Sequence, residues 1–580
     1  MLRFDFSLQP AHAKEFITYL PLILIIRLGF YIKFGIYKDL WRYSSIRDLL
    51  KIFIAATLGS ISFFLIVKFL AADIPYPRSI FILDWLLFIM ISGGGRLCIR
   101  AFREYMQPAS AGKRTLLIGA GDAGEMIVRD MKNHPRHAYE PVGFIDDSPY
   151  KKGLSIHSLP IFGSREVIGE VIKKCNIEEI LITMPSAGSA AAKEIYKICR
   201  PYNIPIKTLP GLSEILNGSN ISVAQIKPLS LENLLSREPI RSDIREISAF
   251  IEGRRVLVTG AGGSIGSELC RQIIKNSPSM LILLDRYENG LFAIDHELRP
   301  KHKDKITTLI GDVCDADAMD RLFSAHKPEI VFHAAAHKHV PLMEANPLEA
   351  IKNNIFGTKN VAQTAIRHAA ASFVMISSDK AVNPANVMGA TKRVAEFLTM
   401  NLNSQSPTKF TTVRFGNVLG SNGSVVHIFK EQLSRGGPLT ITHPEIKRFF
   451  MLIPEAVQLV LIASAGSGGE IFVLDMGEQI KIVDLAENLI RLSGFIPHEE
   501  IKIEFTELRP GEKLFEELFD ETEKTMPSFH KKLQVAVPCS VPTKDELSRH
   551  LSALSLIIQN NAIDEIIPEI RKIVPNFKKI

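Results

Sequence analysis

The first hundred residues contain three long apolar segments, at about 16–36, 52–70 and 79–95. Each is close to the roughly 20 residues that a helix needs to cross a bilayer. Arg27 and Asp84 interrupt the first and third segments. The alternative is a buried helical hairpin of a soluble domain, but three such runs with basic flanks are hard to hide in a soluble core. The pattern therefore predicts a transmembrane region with three spans over residues 1–108.

Lysine and arginine are distributed unevenly around these segments. The linker 37–51 and the stretch after 95 are basic, whereas the linker 71–78 carries only Arg78. Because positively charged loops stay in the cytoplasm, residues 37–51 and everything after 96 are expected there, with 71–78 outside. This predicts a multi-pass protein of a bacterial-type inner (plasma) membrane, in contact with the lipid bilayer, whose later domains are cytoplasmic.

From about residue 114 the pattern changes to apolar strands that alternate with helices. A small unit over 109–230 begins with a strand and the turn Gly119-Ala-Gly-Asp-Ala-Gly124. A polar bridge at about 228–250 leads to a larger unit over 250–545, which is followed by an amphipathic helical tail at 546–580. Such alternation favours parallel sheets covered on both faces. We therefore expect an α/β protein with two Rossmann-like, doubly wound domains after the transmembrane helices.

Length, charge and cysteine content exclude several classes. A chain of 580 residues is too long for one core. The net charge of +7 is concentrated near the apolar segments, and no arginine-rich tract with interleaved aromatic residues occurs, so nucleic acid is not an expected partner. The six cysteines are scattered without a CxxC pair, and neither a disulfide framework nor a metal site is expected.

A glycine-rich turn, Gly260-x-x-Gly263-x-x-Gly266, follows an apolar strand and opens a helix. Glycines allow the backbone to approach a pyrophosphate, which the free N–H groups at the helix start bind. Asp285 has the spacing of a ribose-binding carboxylate, and it favours NAD because it repels the 2′-phosphate of NADP, a preference that Arg286 weakens. The rest of the predicted cofactor site comprises Ser264, Ile265, Asp312, Val313, Ala334, Ala335 and Ala336. For the alanines, tight packing between helix and sheet is an equally good explanation.

The most specific motifs come later in the chain. Ser377-Ser-Asp-Lys380 is followed by Met388-Gly-Ala-Thr-Lys392, and related motifs occupy 334–344, 353–358 and 508–514. Together they resemble the membrane-bound nucleotide-sugar 4,6-dehydratases of the capsular polysaccharide and protein-glycosylation type, within the extended short-chain dehydrogenase/reductase superfamily. The resemblance spans nearly the whole chain. It implies a lyase that uses NAD and acts on UDP-N-acetylglucosamine in polysaccharide or glycan biosynthesis.

The family's reaction needs an acid and a base on the same edge of the sugar. In that reaction the C4 hydroxyl gives a hydride to NAD, a base removes the C5 proton, an acid helps the C6 hydroxyl leave, and the hydride returns to C6. We hypothesise Lys380 as the base, Asp379 as the acid, Ser378 as a hydrogen-bond partner of the C4 oxygen, and Lys392 as the residue that holds the nicotinamide ribose. Lys380 must be neutral to act, so we expect burial or nearby Lys392 to lower its pKa. A solvated surface pair is the alternative for Asp379 and Lys380.

Met388 stands where the superfamily usually has a tyrosine. Methionine cannot exchange a proton, which favours a dehydratase over simple alcohol oxidation and leaves the acceptor of the C4-hydroxyl proton open. Asp379, acting through Ser378 or a water, is the candidate acceptor. Met388 itself is placed at the catalytic site by the motif, although helix packing alone would also explain it.

The predicted substrate contacts are less specific. The run Arg414-Phe-Gly-Asn417 matches the family's strand that leads to the nucleotide-sugar pocket, so Asn417 is a candidate contact. Arg448 and Arg509 are candidates for the diphosphate, because arginine recognises phosphate in a bidentate way, but each is equally compatible with an ordinary surface arginine. Lys338 and His339 are expected near the sugar.

Several alternatives remain open at this level. A 4- or 5-epimerase that uses the same cofactor is the rival enzyme, and a catalytically idle membrane scaffold for glycan synthesis is the rival from another class. The turn at 119–124 fits either a nucleotide site or a scaffolding or regulatory unit. Homo-oligomerisation has no specific signal. The run at residues 1–5 is similar to the end of the family's first transmembrane helix, so we expect that one helix is missing upstream.

Overall fold

A computed structural model describes residues 10–36, 46–70, 78–105, 112–133, 139–184, 189–209, 222–235, 244–466 and 468–579. The chain divides into two compact units, Met1–Ala111 and Gly112–Ile580. The expectation for residues 1–5 lies outside the described residues, as do most of the linkers 37–51 and 71–78 and part of the bridge at 228–250.

The first unit consists of three long helices, α1 (Pro10–Lys33), α2 (Ile46–Leu70) and α3 (Arg78–Tyr105). Arg27 of α1 forms an ion pair with Asp84 of α3, so the two charges that interrupt the apolar segments neutralise each other. Among the described residues, the stretches Leu49–Phe69 and Ser79–Arg96 are long and apolar enough to cross a membrane. Length and composition therefore support two spans, and α1 is not among them.

The second unit contains two large sheets. The first has seven strands in the order β3-β4-β2-β1-β5-β6-β7. Its strands are β1 Lys113–Ile118, β2 Tyr139–Ile145, β3 Ser155–Ile156, β4 Leu159–Gly163, β5 Glu179–Ile182, β6 Ile206–Thr208 and β7 Lys227–Pro228. The central strands run parallel, while β3 and β7 pair antiparallel at the two edges.

The second sheet has nine strands in the order β10-β9-β8-β11-β12-β13-β18-β22-β21. Its strands are β8 Arg255–Thr259, β9 Met280–Asp285, β10 Ile306–Ile310, β11 Ile330–His333, β12 Ser372–Ile376, β13 Lys409–Arg414, β18 Ile471–Leu474, β21 Lys524–Pro527 and β22 Leu533–Val537. Every neighbouring pair from β10 to β18 is parallel, and β22 and β21 join antiparallel. The chain moves outward from β8 to β10 and then returns to β11, which lies beside β8. Ligands bind at such a reversal of strand order.

The described residues also form three small two-stranded sheets. They pair β14 Asn417–Leu419 with β17 Phe450–Leu452, β15 Leu439–Ile441 with β20 Ile503–Phe505, and β16 Lys447–Arg448 with β19 Ile480–Lys481. The helices of the second unit are α4 Asp122–Asn133, α5 Ile168–Lys174, α6 Ser189–Cys199, α7 Leu231–Leu235, α8 Ile244–Ile251, α9 Ser264–Ile274, α10 Glu288–His302, α11 Ala316–His326, α12 Val340–Ala345, α13 Pro347–Ile351, α14 Thr358–Arg367, α15 Val387–Asn403, α16 Val425–Ser434, α17 Ile453–Ser464, α18 Ile482–Leu492, α19 Lys544–Asn560 and α20 Ile566–Ile573.

Strand β8 shows how the core of the large sheet is built. Val256 and Val258 belong to one apolar cluster with residues of α9 and α17, whereas Leu257 belongs to a second cluster with residues of α11 and α14. Successive side chains of a strand point to opposite faces, so an unbroken apolar strand needs helices on both sides. The predicted α/β architecture with two Rossmann-like parallel sheets is confirmed by this arrangement.

The last two helices belong to the core of the second unit. Leu551 and Leu554 of α19 and Ile570 of α20 are buried in one apolar cluster with Val387 and Val394 of α15. Side-chain contacts also connect the part of the second unit around the seven-stranded sheet with α18. Tyr196 of α6 donates a hydrogen bond to Asn488 at 3.2 Å, and Arg200 pairs with Glu487 at 2.7 Å.

Candidate active site

The glycine-rich turn between β8 and α9 packs closely against its own backbone and against the residues that follow β11. Gly260 has a positive φ of 71°, and a Cβ at this position would lie 2.7 Å from the carbonyl carbon of Ala334. A Cβ at Gly266 would lie 2.0 Å from the carbonyl oxygen of Gly260. Only glycine fits either position. The start of α9 consequently presents its free N–H groups at the reversal of strand order, which suits the pyrophosphate of a dinucleotide.

The end of β9 carries the carboxylate that the spacing predicted near the ribose. Asp285 accepts hydrogen bonds from the N–H groups of Gly262 at 2.8 Å and Tyr287 at 2.9 Å, so it is held against the glycine turn. Arg286 is engaged elsewhere, because its guanidinium lies 3.4 Å from a carboxylate oxygen of Asp312 and 2.7 Å from Nε2 of His337. Arg286, which was expected to weaken the preference for NAD, is therefore already bound by protein groups.

A cavity of about 510 Å³ opens beside this turn. It brings together most of the predicted catalytic and substrate-binding residues and part of the predicted cofactor set: Gly260, Gly263, Ser264, Ile265, Gly266, Ala334, Ala336, Lys338, His339, Ser378, Lys380, Met388, Lys392 and Asn417. Asp379 lies buried beneath its wall. The other predicted residues are not in its lining: Asp285, Arg286, Asp312, Val313, Ala335, Arg448 and Arg509.

The pair Asp379 and Lys380 follows the carboxyl end of β12 in a short 3₁₀ turn, Asp379–Ala381. Ser378 caps this turn, and its hydroxyl donates to Oδ1 of Asp379 at 3.0 Å. The ammonium of Lys380 lies 3.0 Å from that same oxygen and 3.0 Å from Oδ1 of Asn417. Gly389 lets α15 pack closely on the turn, since a Cβ there would lie 2.1 Å from the carbonyl oxygen of Lys380. The pair is therefore fixed inside the protein, which disfavours the alternative of a solvated surface pair.

Burial and neighbouring charge shift the pKa values of this pair. Burial raises the pKa of Asp379, and the negative charge of Glu516 acts in the same direction, although Lys380 opposes both. Burial works to lower the pKa of Lys380, but attraction to Asp379 and Glu516 outweighs it, so that pKa lies above its ordinary value. The expectation of a lowered pKa for Lys380 is therefore wrong, because the lysine stands between two carboxylates.

Lys392, on the same cavity, has a lowered pKa. Its side chain is almost completely buried, and its ammonium donates to the carbonyl oxygen of Ile376 at 2.6 Å. Burial lowers the pKa of Lys392 to about 8, although Glu396 partly opposes this. Met388 lies one helical turn before Lys392, lines the cavity and also packs in the apolar cluster of α15.

Two predicted arginines are engaged with protein groups. Arg448 is 7% exposed, donates to the carbonyl oxygens of Lys447 and Leu514, and lies 3.4 Å from a carboxylate oxygen of Glu512. Arg509 is exposed, and its backbone N–H is bonded to the side chain of Glu512. Neither side chain is part of the cavity lining.

Sequence reasoning missed three parts of this site. Glu516 contacts Lys380, and the signal for it was its place two residues after the motif at 508–514. The loop 421–425 lines the cavity, with the N–H of Asn422 bonded to the hydroxyl of Ser264 at 3.0 Å. His333 is fully buried between Thr259 and Thr358, and burial lowers its pKa to about 3, so it is a neutral core residue.

Known proteins match this chain over most of its length. A family model described as polysaccharide biosynthesis protein matches residues 256–538, and one described as CoA-binding domain matches residues 33–210. The capsular polysaccharide biosynthesis protein CapD of Staphylococcus aureus is 45% identical over 496 residues, which cover 84% of this chain and 82% of CapD. The probable polysaccharide biosynthesis protein EpsC of Bacillus subtilis (strain 168) is 47% identical over 494 residues, with the same coverage of 84% and 82%. A UDP-glucose 4-epimerase of Rickettsia canadensis (strain McKiel) is 36% identical over 274 residues, 46% of this chain and 77% of the epimerase.

The fold, the glycine turn and these relatives define a nucleotide-sugar enzyme of the dehydratase and epimerase type within the short-chain dehydrogenase/reductase superfamily. The chain belongs to the polysaccharide biosynthesis protein family that contains CapD and EpsC. The family resemblance drawn from the sequence motifs is thereby confirmed.

Proposed function

We propose that this protein dehydrates UDP-N-acetylglucosamine to a UDP-4-keto-6-deoxy-N-acetylhexosamine, as an NAD-dependent hydro-lyase in the synthesis of a capsular or related polysaccharide. The observation that carries the proposal is the buried pair of Asp379 and Lys380, hydrogen-bonded at 3.0 Å, on the cavity beside the glycine turn. A dehydratase needs a base for C5 and an acid for the departing C6 oxygen, and this pair offers one of each.

The residues present fit a dinucleotide. In this proposal the N–H groups at the start of α9 hold the pyrophosphate, Asp285 at the end of β9 binds the adenosine ribose, and Lys392 on the cavity binds the nicotinamide ribose. NAD suits this set better than NADP, because the carboxylate of Asp285 repels a 2′-phosphate and Arg286 is engaged by Asp312 and His337. When bound, the nicotinamide supplies the hydride acceptor for C4 and the hydride donor for C6.

The proton chemistry falls to Asp379 and Lys380. Transfer of one proton from the ammonium of Lys380 to Oδ1 of Asp379, across 3.0 Å, converts the ion pair into a neutral amine and a carboxylic acid. Exclusion of water by the substrate favours this neutral form, since desolvation penalises both charges. The amine then takes the C5 proton, the acid gives its proton to the departing C6 oxygen, and the ammonium returns its proton to C5 after the hydride reaches C6. The C4-hydroxyl proton passes through Ser378 or a water to Asp379 and replaces the proton that the pair gives to the departing oxygen. A single buried pair thus supplies the base for C5 and the acid for the C6 oxygen.

The sugar and diphosphate contacts follow from the same placement. Ser378, whose hydroxyl would turn from Asp379 to the C4 oxygen, is the proposed contact of that oxygen. Lys338, His339 and Asn417 line the cavity and are the other proposed contacts of the sugar. Arg448 and Arg509 are proposed for the diphosphate. Arg448 would have to exchange part of its bonding with Glu512 and two carbonyl oxygens for phosphate.

Attachment to a membrane is part of the proposal. The stretches 49–69 and 79–96 have the length and composition of spans, and the charge bias of the flanking segments supports a multi-pass protein of the inner membrane with the α/β domains in the cytoplasm.

The reaction is tested by incubating the full chain in detergent with UDP-N-acetylglucosamine and NAD and weighing the product. We expect loss of one water and, in D₂O, one deuterium at C5. An unchanged mass with inverted stereochemistry would indicate the epimerase, and no turnover together with no bound NAD would indicate the scaffold. Lys380→Ala is expected to lower kcat by about 10²- to 10⁴-fold, the usual contribution of a general base. Lys481→Ala, which removes a half-exposed lysine paired with Glu445, serves as the control.

A further inference from the structure

Glu516 is a buried carboxylate that takes no part in the proposed proton transfer between Lys380 and Asp379. Its side chain is 4% exposed, and Oε1 lies 3.5 Å from the ammonium of Lys380 and 3.8 Å from Nε of Arg448. Its other oxygen, Oε2, is buried and has no hydrogen-bond partner among the described residues. Removing a carboxylate from water without full compensation is costly, so a purely structural reason for this residue has to be strong.

The distribution of partners argues against a purely structural role. Arg448 has a second carboxylate, Glu512, at 3.4 Å, as well as two backbone carbonyl oxygens. Loss of Glu516 would therefore leave Arg448 paired. Lys380 also has two carboxylates within the described chain, Asp379 on its own turn and Glu516 from the segment after the motif at 508–514, but the proposed proton transfer neutralises Asp379. When Asp379 is protonated, Glu516 is the remaining carboxylate beside the ammonium.

We propose that Glu516 is a positioning residue for proton transfer at Lys380: it stabilises the ammonium that forms when the amine takes the C5 proton, and so makes that amine a stronger base. This inference rests on the proposed function. In the step, the C5–H bond breaks and an N–H bond forms on Lys380, while the electron pair left on C5 is delocalised into the C4 ketone. That pair then forms the C5–C6 double bond as the C6 hydroxyl leaves as water with the proton of Asp379.

Charged groups from several elements face Lys380 and determine its titration. Asp379 and Glu516 favour the ammonium, Arg448 disfavours it, and the pKa of Lys338 is itself lowered, by burial first and by Lys380 second. Because Glu516 also repels the ionised form of Asp379, removal of its charge lowers the pKa of both members of the pair. The pair titrates as a unit, so both limbs of the pH–rate profile move together.

The test compares Glu516→Gln with Glu516→Asp and with the neighbouring control Glu517→Gln, all in the full chain in detergent. Glu517 is exposed on the same segment and pairs with Lys513. We expect Glu516→Gln to lower kcat by about 10- to 100-fold with KM changed less than about threefold. Both limbs of the pH–kcat profile should move to lower pH, and the isotope effect with C5-deuterated substrate should increase. Glu516→Asp should restore much of the wild-type profile, and Glu517→Gln should match the wild type.

Two results would overturn the inference. One is a Glu516→Gln profile with both limbs unmoved and an unchanged isotope effect. The other is a loss of activity that follows a lowered melting temperature in both Glu516 variants, which would mean that Glu516 only maintains the fold. If the wild-type protein releases no dehydrated product, the proposed function itself is wrong. That result comes from the wild-type measurement and is therefore distinguishable from a failure of the inference on Glu516.

Discussion

The ionisation of single residues decides what this cavity can do. Three lysines lie on it, and each has a different environment: Lys380 stands between two carboxylates, Lys338 has no carboxylate among its perturbing groups, and Lys392 is buried with a backbone carbonyl. The residue expected to have a lowered pKa is therefore the one of the three whose pKa is raised. In the proposed mechanism its neutral amine arises through transfer of a proton to Asp379 and not through a low resting pKa.

Lys392 should give cofactor binding a pH dependence. Its pKa of about 8 means that the ammonium is present below this pH and lost above it. An ammonium is the better donor to ribose hydroxyls and also attracts the cofactor's negative charge. We therefore expect NAD affinity to be constant below about pH 8 and to weaken as pH rises beyond it, which calorimetric titration of the full chain in detergent would measure. Lys392→Met should bind NAD more weakly and without this dependence, so an equal slope in both proteins would contradict the assignment.

The motifs predicted which residues share the cavity, but they did not predict the direction of the pKa shift of Lys380. Ser378, Lys380, Met388 and Lys392 lie within one short run, so a single turn and helix bring them together. Asp379 within the motif and Glu516 from a segment that is remote in the sequence together raise the pKa of Lys380 against the effect of burial. A pKa depends on every charge nearby in space, and a local motif does not contain that information.

At the scale of elements, a buried charge network holds the catalytic turn to the sheet. Arg414 at the end of β13 pairs with Glu396 of α15 and Glu523 before β21, and all three side chains are fully buried. Glu396 also accepts from the hydroxyl of Ser377 at 2.6 Å, next to the turn that carries Asp379. Arg414 was read as part of the strand leading to the substrate pocket, and its guanidinium serves this network.

Arg414→Met should therefore destabilise the second unit. It leaves Glu396 and Glu523 buried with Arg393 as their remaining arginine partner among the described residues. Breaking a buried ion pair from one side typically costs about 3–5 kcal/mol of unfolding free energy. The matched control is Arg435→Met, which removes an exposed pair with Glu431 and should cost less than about 1 kcal/mol. Urea unfolding of the two variants measures the difference, and equal losses would show that the network contributes little.

The element order itself was predictable, since alternating apolar strands and amphipathic helices prescribe parallel sheets. The antiparallel addition of β22 and β21 at one edge was not predicted, nor was the packing of α19 and α20 on α15. Both depend on residues that meet across long stretches of sequence; Arg393 and Glu523, for example, are 130 positions apart. Periodicity gives the exposed and buried faces of a helix but not the partner that covers the buried face.

At the scale of the whole molecule, charge bias makes a prediction about topology. If 71–78 lies outside and everything after 96 lies inside, a cysteine introduced by Arg78→Cys into an otherwise cysteine-free chain should react with an impermeant maleimide in spheroplasts, whose inner membrane is sealed. A chain that retains Cys98 as its single cysteine should react with the maleimide only after the membrane has been permeabilised. Labelling of both positions without permeabilisation would contradict the orientation, and labelling of neither after permeabilisation would identify inaccessible sulfur atoms rather than topology.

The packing of segment 516–573 on the turn that carries Lys380 and on α15 affects the order in which the protein is assembled. Glu516 reaches Lys380, Glu523 completes the network around Arg414, and α19 and α20 cover the helix that carries Lys392. A nascent polypeptide that has emerged only as far as β18 holds the glycine turn but lacks these partners. The glycine turn is thus translated well before Lys380 and Lys392 acquire the surroundings that 516–573 provide, and the proposed proton chemistry requires that this later segment has folded.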